Sequence, residues 1–196
     1  MARTIAKDHD DKRSQILATA AKVFAKDGFD RASMNSIASA CGISKANIYH
    51  YYKSKDALLF DLLDGYLRRL RDQVLAADDP TRSADDRLRQ FVPAVLGAYR
   101  GADAEHRVLV LTLGALPKPE QDILFGYQRE LVAQLSSILL EIAPERMADK
   151  AKLRATAMSI FGMLNWYFMW STGDDAKAHE AYAAHVADLT LNGIVN

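Results

Sequence analysis

The chain predicts an all-α fold of about nine helices, and three observations predict it. Apolar residues recur at a helical period of three to four almost throughout. No stretch sustains the alternation of a strand, and glycine or proline interrupts the pattern at helix-length intervals. The 196 residues, 49% hydrophobic and 26% charged, suffice for a protein with its own core and exclude disorder as the main state. A single cysteine excludes an intramolecular disulfide framework and a cysteine-rich zinc site. Near the N-terminus Asp8, Asp10 and Asp11 lie among basic residues with no signal-peptide-like apolar run, so a soluble cytoplasmic protein is expected.

Each element follows from local chemistry. Over 12–26, Ile16, Ala20, Val23 and Phe24 share one stripe, and Gly28 stands where a helix closes. Ser33 is placed to cap a short helix carrying Ile37, Ala38 and Cys41, which Gly42 ends. Ser44 caps a third helix over 45–51, and Ser54 a fourth over 55–77. Asp78-Asp79-Pro80 breaks the pattern. Further helices are expected over about 84–100, 103–115, 119–142, 147–171 and 176–194, separated by Gly101, Pro117-Lys118-Pro119, Pro144 and Thr172-Gly173-Asp174-Asp175. Three short helices thus precede a larger bundle.

The formal net charge of zero conceals an asymmetry. Residues 1–55 hold ten Lys/Arg against five Asp and no Glu, for a net +5, and the remainder carries net −5. A basic module ahead of an acidic one suits a division of labour in which the first meets a polyanion.

The segment 33–59, SMNSIASACGISKANIYHYYKSKDALL, contains two short helices about a glycine turn, the spacing of a helix-turn-helix. At 100° per residue, Ile48 and Tyr52 face inward toward Ile37, while Ala46, Asn47 and His50 point the opposite way with Tyr49 and Tyr51 on the flanks. Such an outward set makes a poor core and a good groove reader. Asparagine pairs bidentately with adenine, lysine reaches guanine or phosphate, and alanine meets a thymine methyl. Tyr49 is suited to donate to a phosphate, and Lys55, opening the next helix, brings a charge to backbone N–H groups that attract one.

These residues resemble the DNA-binding domain of tetracycline-repressor-like (TetR/AcrR) one-component regulators. The resemblance rests on Gly28-Phe29, Ser33, Ile37-Ala38, Ala40-Cys41-Gly42-Ile43-Ser44, Tyr49, Tyr51-Tyr52 and Ser54-Lys55. Cys41 replaces the usual alanine and Tyr52 the usual phenylalanine. The resemblance implies a DNA-binding domain over 1–55, a connecting fourth helix, and a regulatory domain over 56–196. It also implies DNA contacts from Ser33, Ser44, Lys45, Ala46, Asn47, Tyr49, His50 and Lys55. Arg3, Lys7, Lys12 and Arg13 form an extension that either reaches a minor groove or phosphates, or frays as a charged tail.

The regulatory half has no phosphate loop, nucleophile elbow or metal-chelating pair, since His179 and His185 are six apart, and no enzyme is expected. His106 is expected to be exposed or satisfied locally, and Cys41 to be packing. The apolar run 158–170, MSIFGMLNWYFMW, is too short to span a bilayer and needs cover all round. Met163, Trp166, Tyr167 and Trp170 take one side; Phe161, Leu164, Asn165, Phe168 and Met169 take the other. By the resemblance, helices 147–171 and 176–194 pair with a second copy in a homodimer on double-stranded operator DNA. The side not so used is expected to border an effector cavity, with Tyr66, Leu70, Phe91, Leu96, Tyr99, Leu113, Phe125, Tyr127, Met163, Asn165, Trp166 and Tyr167 as candidates. The string Gly162-Met163-Leu164-Asn165-Trp166 is similar to one in TetR-like regulators that answer acyl-CoA thioesters. It implies such an effector, with Arg68, Arg69, Arg71, Arg100 and Arg129 either meeting its phosphates or forming surface ion pairs. The implied activity is repression relieved by that ligand; an activator, or a regulator controlled by a protein partner, is the alternative.

Overall fold

The computed structural model describes residues 2–171 and 176–195, and the side chains of residues 9–167, 170, 171 and 176–194 within them. The expected break at 172–175 and the side chains of Arg3, Lys7, Phe168 and Met169 lie outside the described residues. The described residues form ten α-helices and no strand: α1 (Ala2–Asp27), α2 (Met34–Ala40), α3 (Lys45–Tyr51), α4 (Lys55–Ala76), α5 (Ala84–Tyr99), α6 (Asp103–Thr112), α7 (Lys118–Ile142), α8 (Pro144–Met147), α9 (Lys150–Trp170) and α10 (Ala176–Val195). A 3-10 turn, Leu113–Ala115, follows α6.

Four boundaries depart from the sequence reading. Helix α1 begins at Ala2, ten residues ahead of the expected start at Lys12. Helix α6 stops at Thr112 and tightens into the 3-10 turn around Gly114. Pro144, expected as a break, instead opens α8, since a helix's first N–H has no internal partner to lose. Helix α9 therefore starts later, at Lys150, where the Asp149 carboxylate accepts the Ala151 N–H at 2.7 Å.

The chain packs as two compact units, Met1–Tyr66 with Ala104–Leu124 and Leu67–Asp103 with Phe125–Asn196. In the first, Ile16, Ala20 and Phe24 of α1, Ile37 of α2, Ile48 of α3 and Leu58, Leu59 and Leu63 of α4 are buried. Cys41 is buried as expected. His106 is also buried, and its Nδ1 meets the Tyr66 hydroxyl at 3.0 Å, a longer-range partner than the local one expected.

The second unit is a helical bundle in which α5 lies along α10 and also touches α9. Leu88, Val92 and Val95 of α5, Leu135, Ile138 and Leu139 of α7, Ala157, Ile160 and Leu164 of α9, and Ala183, Val186 and Ala187 of α10 are buried. One charged residue joins them. Buried Arg87 donates to both Asp78 carboxylate oxygens, at 2.8 and 3.0 Å, and to Glu141 at 2.7 Å, while the Gln134 amide also donates to Asp78. An unpaired guanidinium there would be costly, so the cluster is held as a whole.

The hydrogen bonds from Arg87 hold the Asp78 carboxyl below the usual carboxylate range. The folded state thus favours the ionised form. Its contribution is present above about pH 4 and lost as pH falls through the folded value. Arg87→Ala is expected to cost about 3 kcal/mol of stability and to flatten the acid limb of the stability curve, measured by urea unfolding across pH.

Candidate nucleic-acid interface

Helix α2 opens with reciprocal capping. The Ser33 hydroxyl accepts the Ser36 N–H at 3.0 Å, and the Ser36 hydroxyl accepts the Ser33 N–H at 2.9 Å. It ends in a Schellman turn, with Ile43 N–H on the Ala38 carbonyl and Gly42 N–H on Ser39. Gly42 sits at φ 65°, a left-handed conformation that only glycine adopts cheaply. That turn aims the seven-residue α3, whose cap Ser44 accepts the Asn47 N–H at 3.1 Å. Ser44, capping as an acceptor, still carries one O–H donor, whereas the Ser33 hydroxyl also donates to Ser36 Oγ at 3.2 Å.

On α3 only Ile48 is fully buried, and Tyr52 at the C-cap is buried behind it. Lys45, Ala46, Asn47, Tyr49 and His50 are all exposed, so the expected outward set is brought together on one helix face. Ser33 and Ser44 are exposed too, and both spend one lone pair on caps.

Lys55 has a different setting from the one expected. Its ammonium donates to the carbonyls of Phe29 at 2.6 Å, Ala32 at 3.0 Å and Asp30 at 3.3 Å, and lies over the Phe29 ring at 4.3 Å. Three donors are thereby committed to the α1–α2 loop. Six residues further along α4, Asp61 accepts Arg13 Nε at 3.1 Å, a second Arg13 nitrogen at 2.5 Å and the Tyr52 hydroxyl at 2.5 Å. Burial, reinforced by the Asp61 charge, raises the Tyr52 phenol well above its usual value. Arg13 therefore braces the head rather than extending toward DNA. The sequence reading missed this knot, although Arg13 lies three residues before Ile16 on the same α1 stripe and tyrosine stands where phenylalanine is usual.

Comparison with known proteins decides the family. A model of bacterial regulatory proteins of the tetR family matches residues 16–62, and a tetracyclin repressor-like C-terminal domain matches 81–194. The chain belongs to the tetR family. Members of that family are bacterial regulatory proteins. A TetR-family regulator from Bordetella parapertussis 12822 is similar over 94% of this chain and 96% of its own, at 33% identity and a TM-score of 0.84. The fold is also that of AibR, solved with isovaleryl coenzyme A and operator DNA, at 23% identity, a TM-score of 0.78, and coverage of 91% of this chain and 97% of that one. The repressor KstR2 of Rhodococcus jostii (strain RHA1) is 23% identical over 141 residues, 70% of this chain and 66% of KstR2. The chain spans only 38–39% of the length of two curated Bacillus subtilis relatives.

In this tetR-family chain the effector candidates divide between the units. Tyr66 and Leu113 belong to the first and the others to the second. Leu70, Phe91, Leu96 and Tyr167 are buried; Phe125, Met163 and Asn165 are half-buried. Phe91 meets Phe161 edge-on at 6.1 Å, and the Tyr99 hydroxyl donates to Asn165 Oδ1 at 2.6 Å. Burial raises the Tyr99 phenol far above its usual value. Tyr127 lies under the Arg71 guanidinium, which also pairs with Asp72 and Glu130. Trp166 is set apart: it is 59% exposed. No helix of the described residues is long and apolar enough to cross a membrane.

Lys55→Ala is expected to lower the stability of the head by about 2 kcal/mol, the scale of hydrogen bonds from a charged donor. Thermal melts should register this, while the salt slope of DNA binding changes by less than one phosphate contact.

Proposed function

We propose that the protein is a homodimeric repressor, held on a palindromic operator by residues 1–55 and released by an acyl-CoA or aryl-CoA thioester bound in the region 56–196. The observation that carries the DNA half is the outward face of α3. Lys45, Ala46, Asn47, Tyr49 and His50 are exposed together on a helix anchored by buried Ile48. Asn47 and His50 read base edges, Lys45, Tyr49 and the capping serines Ser33 and Ser44 meet the backbone, and Ala46 lets the helix approach closely.

A second copy is supported by the free face of α9. Met158, Gly162, Trp166 and Trp170 recur every four residues on one stripe, with Met158 50%, Trp166 59% and Trp170 56% exposed. Leu189 of α10 is likewise half exposed. An apolar row of this size belongs at an interface. A two-fold contact covers it and presents two reading helices to two half-sites.

The effector reading rests on the Tyr99–Asn165 hydrogen bond, a polar handle among apolar side chains. The isovaleryl coenzyme A held by AibR supplies the ligand class. Release follows if the ligand favours an arrangement with the wrong spacing of the reading helices. Helix α4 carries that change, since its first turns are bound into the head and its last turns, with Leu70, belong to the second unit.

Trp166→Glu should sediment as a monomer and lose operator binding, whereas Asn165→Ala should keep the dimer and the operator but lose the response to thioesters. Wild-type protein should release operator with a coupling of about 1–3 kcal/mol, read by anisotropy titration against acyl- and aryl-CoA with the free acids as controls. If the whole panel leaves affinity unchanged, the thioester is wrong and the DNA reading stands.

A further inference from the structure

The inward stripe of α1 does not stop at its apolar residues. Phe24, Ala20 and Ile16 are buried at helical spacing, and continuing toward the N-terminus at the same spacing reaches Arg13 and then His9. Both polar residues meet the C-terminal end of the reading helix. Arg13 joins the carboxylate that accepts from Tyr52. His9 stacks on the neighbouring residue, Tyr51, with ring centroids 4.8 Å apart and planes at 26°. Tyr51 in turn meets His50 edge-on, at 5.6 Å and 89°. Three rings thus run from the second turn of α1 to a residue on the DNA-facing side of α3. His9 lies ahead of residues 16–62, the stretch that matches the tetR-family model.

The ring contact has a physical consequence. Helix α3 has seven residues and ends at Tyr51. The last turn of so short a helix frays easily, and His50 lies within it. An exposed imidazole free to change rotamer gains little from one base edge, because ordering it on binding costs entropy. A ring wall on its inner side restricts it beforehand. His9 itself is half exposed and makes only a loose 3.8 Å approach to Asp10, so its ring is not committed to another structural pairing at hydrogen-bond distance.

We infer that His9 is a positioning residue for base recognition, holding Tyr51 as a wall against which His50 is set. The inference rests on the reading that His50 faces a base edge. It is tested with the full chain by selection from a randomised duplex library, followed by anisotropy titrations on the selected and a scrambled duplex over a range of salt. His50→Ala should change the preference at one position of the selected motif. His9→Ala should relax that same position and weaken the selected duplex roughly threefold to tenfold, the worth of an aromatic pair. The scrambled duplex, the salt slope and the melting temperature should not move. His9→Phe, which keeps a ring but no ionisable group, should retain the parental motif. A parental motif and affinity from His9→Ala overturns the inference alone. So does equal weakening of both duplexes with a shallower salt slope, which would make His9 a phosphate contact. A parental motif from His50→Ala overturns the base reading itself and the inference with it.

Discussion

The reading head depends on how the first two turns of α4 are held. Helices α2 and α3 have seven residues each, below the length at which an isolated helix is stable in water, so their geometry must come from outside. Lys55 provides one tie by placing its ammonium on three carbonyls of the α1–α2 loop. Asp61 provides the other by accepting from Arg13 on α1 and from Tyr52 at the end of α3. Each side chain on α4 thus reaches a different member of the head. A charged donor on carbonyls and a carboxylate with two partners are also demanding of geometry, so they specify one arrangement where apolar contact would tolerate several.

The second unit uses the same device for a different end. Arg87 is buried among apolar helices and is compensated by Asp78, Glu141 and the nearby Gln134. Replacing such a cluster by hydrocarbon is often no worse for stability, whereas removing one partner leaves a buried charge uncompensated and is costly. The Tyr99–Asn165 bond has another character. It joins two uncharged side chains, the phenol donating to the amide oxygen at 2.6 Å.

Local signals were legible and long-range polar ones were not. The caps at Ser33, Ser44 and Ser54, the turn at Gly42 and the outward face of α3 all follow from chemistry within four residues, and the structure has them. The partners of Lys55 lie 23 to 26 residues away and those of Arg13 lie 48 away, where no spacing rule reaches. The length of α1 was misjudged because a cluster of mixed charges reads equally as a solvated tail or as a helix of ion pairs. Trp166 was hard to place for a related reason. A run apolar on every side has no hydrophobic period, so the sequence states that two coverings exist without saying which residue meets which.

Magnitudes decide how a signal reaches the DNA in such a molecule. Coupling between an effector and an operator is about 1–3 kcal/mol in typical cases. The ties at the start of α4 comprise three hydrogen bonds from one ammonium and a bidentate ion pair that also holds a phenol. The Lys55 contacts together are worth about 2 kcal/mol and the Asp61 cluster adds to that, so the ties are at least comparable with the coupling a ligand supplies. Under the proposed release by a ligand, a shift imposed on α4 does not tear the helix from the head, because the softer response is for head and helix to turn together. Discrimination between bases survives such a turn, since the side chains that read them keep their mutual geometry. In the proposed dimer, what changes is where each intact reader is aimed, and a small re-aiming of both is enough to lose a pair of half-sites whose separation is set by the helical repeat of DNA.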